Sequence, residues 1–131
     1  MGKRILAIDD DPDILEVYTL ILEEEGYEVL TILSPDNLLY VIRDFNPDLI
    51  LLDIQLGGAN NGLEVCKLLK SSNITQHIPV FMVSAHESLH RAVREFNADG
   101  AIQKPFDLSD IITKINDFLL AKVIPIWRIS A

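Results

Sequence analysis

The chain has a single cysteine among its 131 residues, so it cannot form an internal disulfide bond. Cys66 lies between Val65 and Leu68 in a segment with helical apolar spacing. This context predicts a small buried side chain instead of a reactive thiol, and we assign Cys66 no functional role.

Long apolar runs are also missing. No segment approaches the roughly 18 to 20 apolar residues of a membrane helix. Residues Met1–Arg4 lead directly into a predicted strand and do not begin a signal peptide. We therefore expect a cytoplasmic protein with no membrane partner.

Basic runs are absent as well, and the formal net charge is −9. Nucleic-acid binding depends on Lys and Arg side chains that neutralise phosphates, so we expect no nucleic-acid partner for the chain itself. What is present is the composition of a globular protein, 49% hydrophobic and 24% charged. The length predicts one domain over residues 1–122, followed by a tail or the start of a linker over 123–131.

The apolar pattern predicts alternating strands and helices. Short, nearly continuous apolar runs are typical of parallel strands that are buried on both faces, whereas apolar residues at helical spacing predict amphipathic helices. The predicted strands are residues 4–8, 27–33, 48–52, 79–84 and 101–104, and the predicted helices are 12–25, 35–45, 62–70, 87–96 and 107–122. This alternation predicts an α/β fold, a three-layer α/β/α sandwich around a five-stranded parallel sheet with five helices.

Polar residues follow four of the predicted strands. Binding sites in open parallel sheets form outside the carboxyl ends of the strands, so these residues should share one pocket. They are Asp9, Asp10 and Asp11 after the first strand, Asp53 after the third, Ser84 after the fourth and Lys104 after the fifth.

Such crowded carboxylates repel each other unless a cation lies among them. Mg²⁺ is the simplest cation for this set, with Asp10 and Asp53 as carboxylate ligands. Asp53 can then act as the nucleophile toward a phosphoryl group and form an aspartyl phosphate. Lys104 and Ser84 would bind the phosphate oxygens.

Four motifs contain these residues: ILAIDDDPDIL (5–15), LILLDIQ (49–55), PVFMVSA (79–85) and QKPF (103–106). Together they cover roughly residues 3–120, and their order and spacing resemble the receiver domains of response regulators. The resemblance implies a flavodoxin-like sheet of order 2-1-3-4-5, for which receiver proteins are themselves a standard example.

The resemblance also implies a role for each site residue. Asp10 would bind Mg²⁺ directly and Asp9 largely through water, and the main-chain carbonyl of Gln55 would be a further ligand. Asp53 would be the phosphoacceptor. The remaining roles are a switch hydroxyl at Ser84, a phosphate-binding amine at Lys104 and a cis peptide bond before Pro105.

Two features depart from the family pattern. Gly57 occupies a position where a proline is usual, and the loop to Gly62 is one residue longer, so we expect a more mobile loop. Ala101 stands where many receivers have an aromatic residue whose rotation reports phosphorylation. The relay through that aromatic residue is therefore absent.

Other residues have simpler interpretations. Asp11 is mainly expected as a helix N-cap. His77, His86 and His90 lack the spacing of metal ligands, although His86 is at a position that can tune loss of the phosphoryl group in this family. Trp127 is expected to be a packing or tail residue.

The favoured function is a phosphorelay switch and not an enzyme with an external substrate. A sensor histidine kinase or phosphotransfer protein would phosphorylate Asp53, and a downstream protein or output domain would respond. A homodimer through the last two helices and last strand is possible. Two alternatives are a haloacid-dehalogenase-type phosphatase with Asp9 as nucleophile and a receiver fold that only binds partners. The first lacks the later acidic pair of that family, and the second leaves a complete set of site residues unexplained.

Overall fold

The computed structural model describes residues 2–56, 61–85 and 93–120, and helices are numbered here over those residues. Each strand is followed by a helix or by undescribed residues. The elements are β1 (Arg4–Ile8), α1 (Pro12–Glu24), β2 (Glu28–Ile32), α2 (Leu38–Phe45), β3 (Leu49–Asp53), α3 (Gly62–Ser71), β4 (Val80–Ser84), β5 (Gly100–Gln103) and α4 (Leu108–Leu120).

All five strands form one parallel sheet of order β2-β1-β3-β4-β5, which confirms the predicted fold class and strand order. Every residue of β3 and β4 is buried, as expected for central strands covered on both faces. No helix in the described part of the chain is both long and apolar enough to cross a bilayer.

Two apolar clusters cover the two faces of the sheet. Side chains alternate along β1, so that Leu6 and Ile8 enter one cluster while Ile5 and Ala7 enter the other. Helices α2 and α3 pack on the first cluster, and α1 and α4 pack on the second. This arrangement is the predicted three-layer sandwich.

Local sequence explains where α1 begins and ends. The Asp11 side chain accepts a hydrogen bond from the Asp13 amide at 2.9 Å, and Pro12 occupies the first turn, where a missing N–H has no cost. Gly26, at φ +93°, lies just beyond the helix in a conformation that favours glycine. The expected N-cap role of Asp11 is thus confirmed.

The start of α2 was predicted too early. Residues 35–37 form a turn in which the Leu38 amide donates to the Pro35 carbonyl at 3.1 Å, and Asn37 is left-handed at φ 58°. The helix therefore begins at Leu38. The last strand ends at Gln103, so Lys104 lies just beyond it, and Asp53 is the final residue of β3 instead of the first residue after it.

Several predictions fall outside the described residues. Residues 93–95 are helical, but most of the helix predicted over 87–96 lies outside, as do residues 121–122 at the end of the last predicted helix. The tail 123–131 with Trp127, the residues His86 and His90, and Gly57 with most of its loop also lie outside.

Helix α3 starts in direct contact with the end of β3. The Gly62 amide donates to the Ile54 carbonyl at 2.8 Å. A Cβ atom at this position would lie 2.0 Å from the Asp53 carbonyl oxygen and 2.7 Å from Ile54 Cα. Backbone atoms cannot move aside as a flexible side chain can, so only glycine permits this approach.

We therefore expect Gly62→Ala to lower the free energy of unfolding by about 2 kcal/mol, the usual range for inserting a methyl group into a packed site. Chemical denaturation measures this change. Lys67→Ala, an exposed substitution on the same helix, is the control and should change stability by less than about 0.5 kcal/mol. Equal stability of the two variants would show that α3 can shift without cost.

Candidate functional site

Strand register brings the predicted site residues to one edge of the sheet. Ile8 pairs with Leu52, so Asp9, the first residue after β1, lies beside Asp53, the last residue of β3. Ser84 pairs with Gln103, and the amide of Lys104 donates to the Ser84 carbonyl at 3.0 Å. The carboxyl ends of four neighbouring strands thus converge, as the sequence predicted.

Asp9 is buried and both of its carboxylate oxygens have partners. Its side chain is 1% exposed. Oδ1 accepts a hydrogen bond from the Asp11 amide at 2.9 Å, and Oδ2 lies 3.2 Å from Lys104 Nζ. Asp9 is therefore held between the start of α1 and the end of β5.

Asp53 shares the same cation. Its Oδ2 lies 3.6 Å from Lys104 Nζ, and its Oδ1 accepts a hydrogen bond from the Gln55 amide at 3.3 Å. The residue is 6% exposed. Lys104 thus pairs with two buried carboxylates, one from β1 and one from β3.

Asp10 completes an acidic cluster. Asp9, Asp10 and Asp53 each offer a carboxylate oxygen, and these oxygens lie within 4.8 Å of one another. Asp10 is exposed whereas the other two are buried, so the cluster opens to solvent on the Asp10 side. Hard oxygen donors with excess negative charge fit a divalent cation such as Mg²⁺.

The charge imbalance is visible in the pKa of Asp53, which is raised to about 6. Burial is the largest cause, and the neighbouring Asp9 charge adds to it. The ammonium of Lys104 and the hydrogen bond from the Gln55 amide act in the opposite direction but do not compensate. A further cation would favour the ionised form of Asp53.

The other predicted site residues take the following positions. Ser84 is buried at the end of β4, and Gln55 is exposed just after β3. The Lys104–Pro105 peptide bond is cis, as the resemblance implied. Ala101 is half-buried beside the cluster under α2 and α3, and its carbonyl accepts a hydrogen bond from Lys114 Nζ at 3.0 Å.

Two residues outside the site match their simpler interpretations. Cys66 is buried, and burial raises the pKa of its thiol to about 11, so it is a poor nucleophile at neutral pH. His77 is exposed just before β4, at the end of the sheet opposite the acidic cluster. Within the described ranges, the acidic cluster is the one group of His, Cys, Asp or Glu residues with metal-ligand spacing.

Sequence reasoning counted Tyr18 only among the apolar residues of α1. Tyr18 is 2% exposed, and its ring stacks on Phe106 with centroids 6.2 Å apart. Its buried hydroxyl has no hydrogen-bond partner among the described residues. Burial raises the pKa of Tyr18, and the charges of Asp9 and Asp53 raise it further, so the hydroxyl lies within the electrostatic field of the acidic cluster.

We expect Tyr18→Phe to raise the free energy of unfolding by about 1 kcal/mol, because a buried hydroxyl without a partner carries an uncompensated desolvation cost. Thermal or chemical denaturation measures the change. Tyr27→Phe is the matched control. The Tyr27 hydroxyl hydrogen-bonds to Asn116 Oδ1, so that variant should be less stable. Destabilisation by Tyr18→Phe would mean that the hydroxyl has a partner in solution.

A second prediction concerns pH. The pKa of Asp53 is raised from 3.8 to about 6 by folding, so the folded state binds more protons between these values and stability falls as pH rises through this range. Above pH 6 the full penalty of the ionised group is present. Asp53→Asn should therefore stabilise the metal-free chain at pH 7.5, by on the order of 2 kcal/mol, and much less at pH 4.5.

Urea denaturation at the two pH values in EDTA measures this difference. Asp36→Asn, an exposed substitution outside the acidic cluster, should change stability by less than about 0.5 kcal/mol at both pH values. A loss of stability for Asp53→Asn at pH 7.5 would mean that the Lys104 ion pair outweighs the burial of the carboxylate.

Comparisons with known proteins agree with this geometry. The sequence profile of the family described as "Response regulator receiver domain" matches residues 5–116. The chain is 33% identical over 117 residues, 88% of its length, to the DNA-binding response regulator MtrA of Mycolicibacterium smegmatis. It is 36% identical over 121 residues, 91% of its length, to the phosphate regulon transcriptional regulatory protein PhoB of Pseudomonas aeruginosa. The matches cover 50% and 52% of these two proteins, so the chain spans about half the length of the curated relatives.

Solved structures give the same answer. A putative response regulator from Chloroflexus aurantiacus superposes with a TM-score of 0.82 at 27% identity, covering 92% of this chain and 99% of that one. A CheY-like receiver domain protein from Methanospirillum hungatei has a TM-score of 0.81 at 32% identity, with coverages of 91% and 94%. Sequence motifs, sheet order, site geometry and relatives thus agree, and the chain belongs to the response regulator receiver domain family of phosphorelay signalling.

Proposed function

We propose that Asp53 is the phosphoacceptor of this receiver domain and that the domain switches its interaction surface when Asp53 is phosphorylated. The observation that carries the proposal is the position of Asp53, which is buried at the end of β3 within an acidic cluster and 3.6 Å from Lys104. The phosphoryl donor would be a phosphohistidine on a sensor histidine kinase or phosphotransfer protein.

In the transfer, a carboxylate oxygen of Asp53 attacks phosphorus and forms the new P–O bond. The P–N bond to the donor histidine breaks, and its electron pair stays on the imidazole, which takes up a proton. Asp9 is a poorer nucleophile because its side chain is 1% exposed and its contacts are closer: 2.9 Å to the Asp11 amide and 3.2 Å to Lys104, against 3.3 Å and 3.6 Å for the equivalent contacts of Asp53. The chain would catalyse only its own phosphorylation and dephosphorylation.

Lys104 and Ser84 would bind the oxygens of the new phosphoryl group. Lys104 already lies between Asp9 and Asp53, so a small movement lets its ammonium meet charge that develops on the phosphoryl oxygens. Ser84 ends the neighbouring strand β4, and its hydroxyl can act as a second donor. Both residues are held by the hydrogen bond between the Lys104 amide and the Ser84 carbonyl.

Asp10, Asp53, Asp9 and the main-chain carbonyl of Gln55 would hold Mg²⁺. When bound, the ion supplies positive charge that offsets the carboxylates and the phosphoryl oxygens. The donor set supports this assignment because it is rich in oxygen and negative charge, and because Lys104 alone leaves the pKa of Asp53 raised. Asp9 would act largely through water, as the resemblance implies.

Phosphorylation adds about −1.5 to −2 charges at one point, enough to bias two packings of nearby elements. The responding surface would be the last two helices and the last strand, through which a homodimer can also form. The downstream partner would be another protein or an output domain. Because the relative MtrA is described as DNA-binding, the exclusion of nucleic acid applies at most to this chain and not to an attached output domain.

Two other functions receive less support. A haloacid-dehalogenase-type phosphatase would use Asp9 as nucleophile, which conflicts with the 1% exposure of the Asp9 side chain and with membership of the receiver family. A module that only binds partners would not require a buried Asp53 beside a lysine and two further carboxylates.

Intact-mass spectrometry after incubation with acetyl phosphate and Mg²⁺ tests the proposal. The unmutated chain should gain roughly 80 Da, one phosphoryl group, as expected for an aspartate nucleophile. Asp53→Asn should gain nothing, and excess EDTA should prevent the adduct on the unmutated chain.

Asp11→Asn is the matched control, since asparagine keeps the N-cap and the residue lies next to the cluster. It should still form the adduct. An adduct on Asp53→Asn, or none on the unmutated chain, would contradict the assignment of Asp53. Release of phosphate from unrelated esters, lost in Asp9→Asn, would favour the phosphatase.

A further inference from the structure

A second surface feature lies at the opposite end of the sheet, where the strands begin. A groove with a volume of about 390 Å³ runs between α2 and the segment that precedes β4. Three of its rim residues are large apolar side chains left in solvent, Leu39 at 62%, Tyr40 at 70% and Ile74 at 76% exposure. We call this feature the α2 groove. Contiguous exposed apolar surface of this kind is typical of interaction sites.

The groove is preformed by hydrogen bonds. Its floor is made of Ile42 and Ile78, which are 6% and 4% exposed and belong to the apolar core. The Thr75 hydroxyl donates to the Leu69 carbonyl at 2.7 Å, and Lys70 Nζ donates to the Ile78 carbonyl at 3.0 Å. A partner would therefore meet a fixed shape and would not have to order it on binding.

The charge of the groove is opposite to that of the chain. The net charge is −9, yet none of the described residues that line the groove is acidic, and Arg43 and His77 lie on its rim. The Arg43 guanidinium is held 5.7 Å above the Tyr40 ring, so the cation stays at the edge of the apolar surface. A carboxylate, Asp44, lines an adjoining depression that shares Tyr40 and Arg43 with the groove.

We propose that the α2 groove binds an amphipathic helix of a partner protein whose apolar residues are flanked by Asp or Glu. Leu39, Tyr40 and Ile74 would contact the apolar face. Arg43 would pair with a carboxylate, and His77 could donate a hydrogen bond to another. Strand addition does not fit, because the groove lies over α2 and the free sheet edges are β2 and β5. One arginine is too little positive charge for a nucleic-acid backbone.

The groove is separate from the acidic cluster. Asn46 and Ile78, which line it, precede β3 and β4, whereas Asp9 and Asp53 lie at the ends of β1 and β3. Strands of five residues place the two edges about 16 Å apart. Binding at the groove therefore does not require Asp53, and the two proposals can fail independently.

The test uses a fluorescein-labelled synthetic helical peptide with leucines at i, i+3, i+4 and i+7 flanked by glutamates, and a matched peptide with lysines in place of the glutamates. Fluorescence anisotropy should show micromolar binding of the glutamate peptide and at least about fivefold weaker binding of the lysine peptide. Amide shifts in NMR spectra should map binding to residues 39–46 and 74–78.

Arg43→Glu should weaken binding of the glutamate peptide about tenfold, as expected for loss of an arginine anchor, and Ile74→Ser should also weaken it. Both side chains are exposed, so the fold should remain intact. Leu20→Ser, which removes an apolar side chain at 65% exposure on α1, should bind normally, as should Asp53→Asn.

Three results would overturn the proposal. The first is no binding of the glutamate peptide at millimolar concentration, and the second is equal or tighter binding of the lysine peptide. The third is self-association of the chain, measured by analytical ultracentrifugation, that Ile74→Ser abolishes. This last result would assign the groove to contacts between copies of the chain.

Discussion

The contact of Lys104 with Asp9 and Asp53 is the interaction on which the functional part of the structure depends. Each partner comes from the end of a different strand, so the contact exists only if β1, β3 and β5 have their observed order and register. Burial strengthens the attraction between these charges. It does not neutralise the cluster, because one ammonium faces two buried carboxylates and the exposed Asp10. The pKa of Asp53, raised to about 6, expresses the same imbalance. A site built this way is prepared for added positive charge.

The rest of the fold serves that geometry. Two apolar clusters hold the sheet from both faces, and fully buried β3 and β4 give the site a rigid base. Because Gly62 has no Cβ atom, α3 can begin in contact with the Asp53 carbonyl. This contact fixes the start of α3 beside the proposed phosphoacceptor. Tyr18 adds a different feature, a buried hydroxyl without a described partner in the field of the same carboxylates. Stability and electrostatics are therefore coupled at this edge of the sheet.

The aromatic relay that the resemblance implies for many receivers would have no ring to rotate here, because its position is Ala101. The cluster beside Ala101 lies under α2 and α3, and the Ala101 carbonyl is tied to α4 through Lys114. The α2 groove lies on the sheet face covered by α2 and α3, at the end where the strands begin. The chain thus has two candidate interaction surfaces, one responding to Asp53 and one that is preformed.

The sequence alone determined the fold class and predicted most residues of the candidate site. Parallel strands that are buried on both faces appear in the sequence as continuous apolar runs. A pocket at the strand ends appears as polar residues directly after or at the end of those runs, here Asp9, Asp53, Ser84 and Lys104. Four motifs in family order then supplied the strand order and the cis bond before Pro105. The start of α2 was misplaced because Pro35 fits a first helical turn as well as the turn that the chain actually forms there.

Only the tertiary structure decided which groups meet. The pairing of Lys104 with both Asp9 and Asp53, the raised pKa of Asp53 and the unpartnered hydroxyl of Tyr18 depend on distance and burial, which have no local sequence pattern. The α2 groove likewise joins Tyr40 and Ile74, which are far apart in the chain and come together only because α2 and α3 pack on the same face. Periodicity tells which face of an element is buried, whereas the contacts between elements are fixed by how the faces pack.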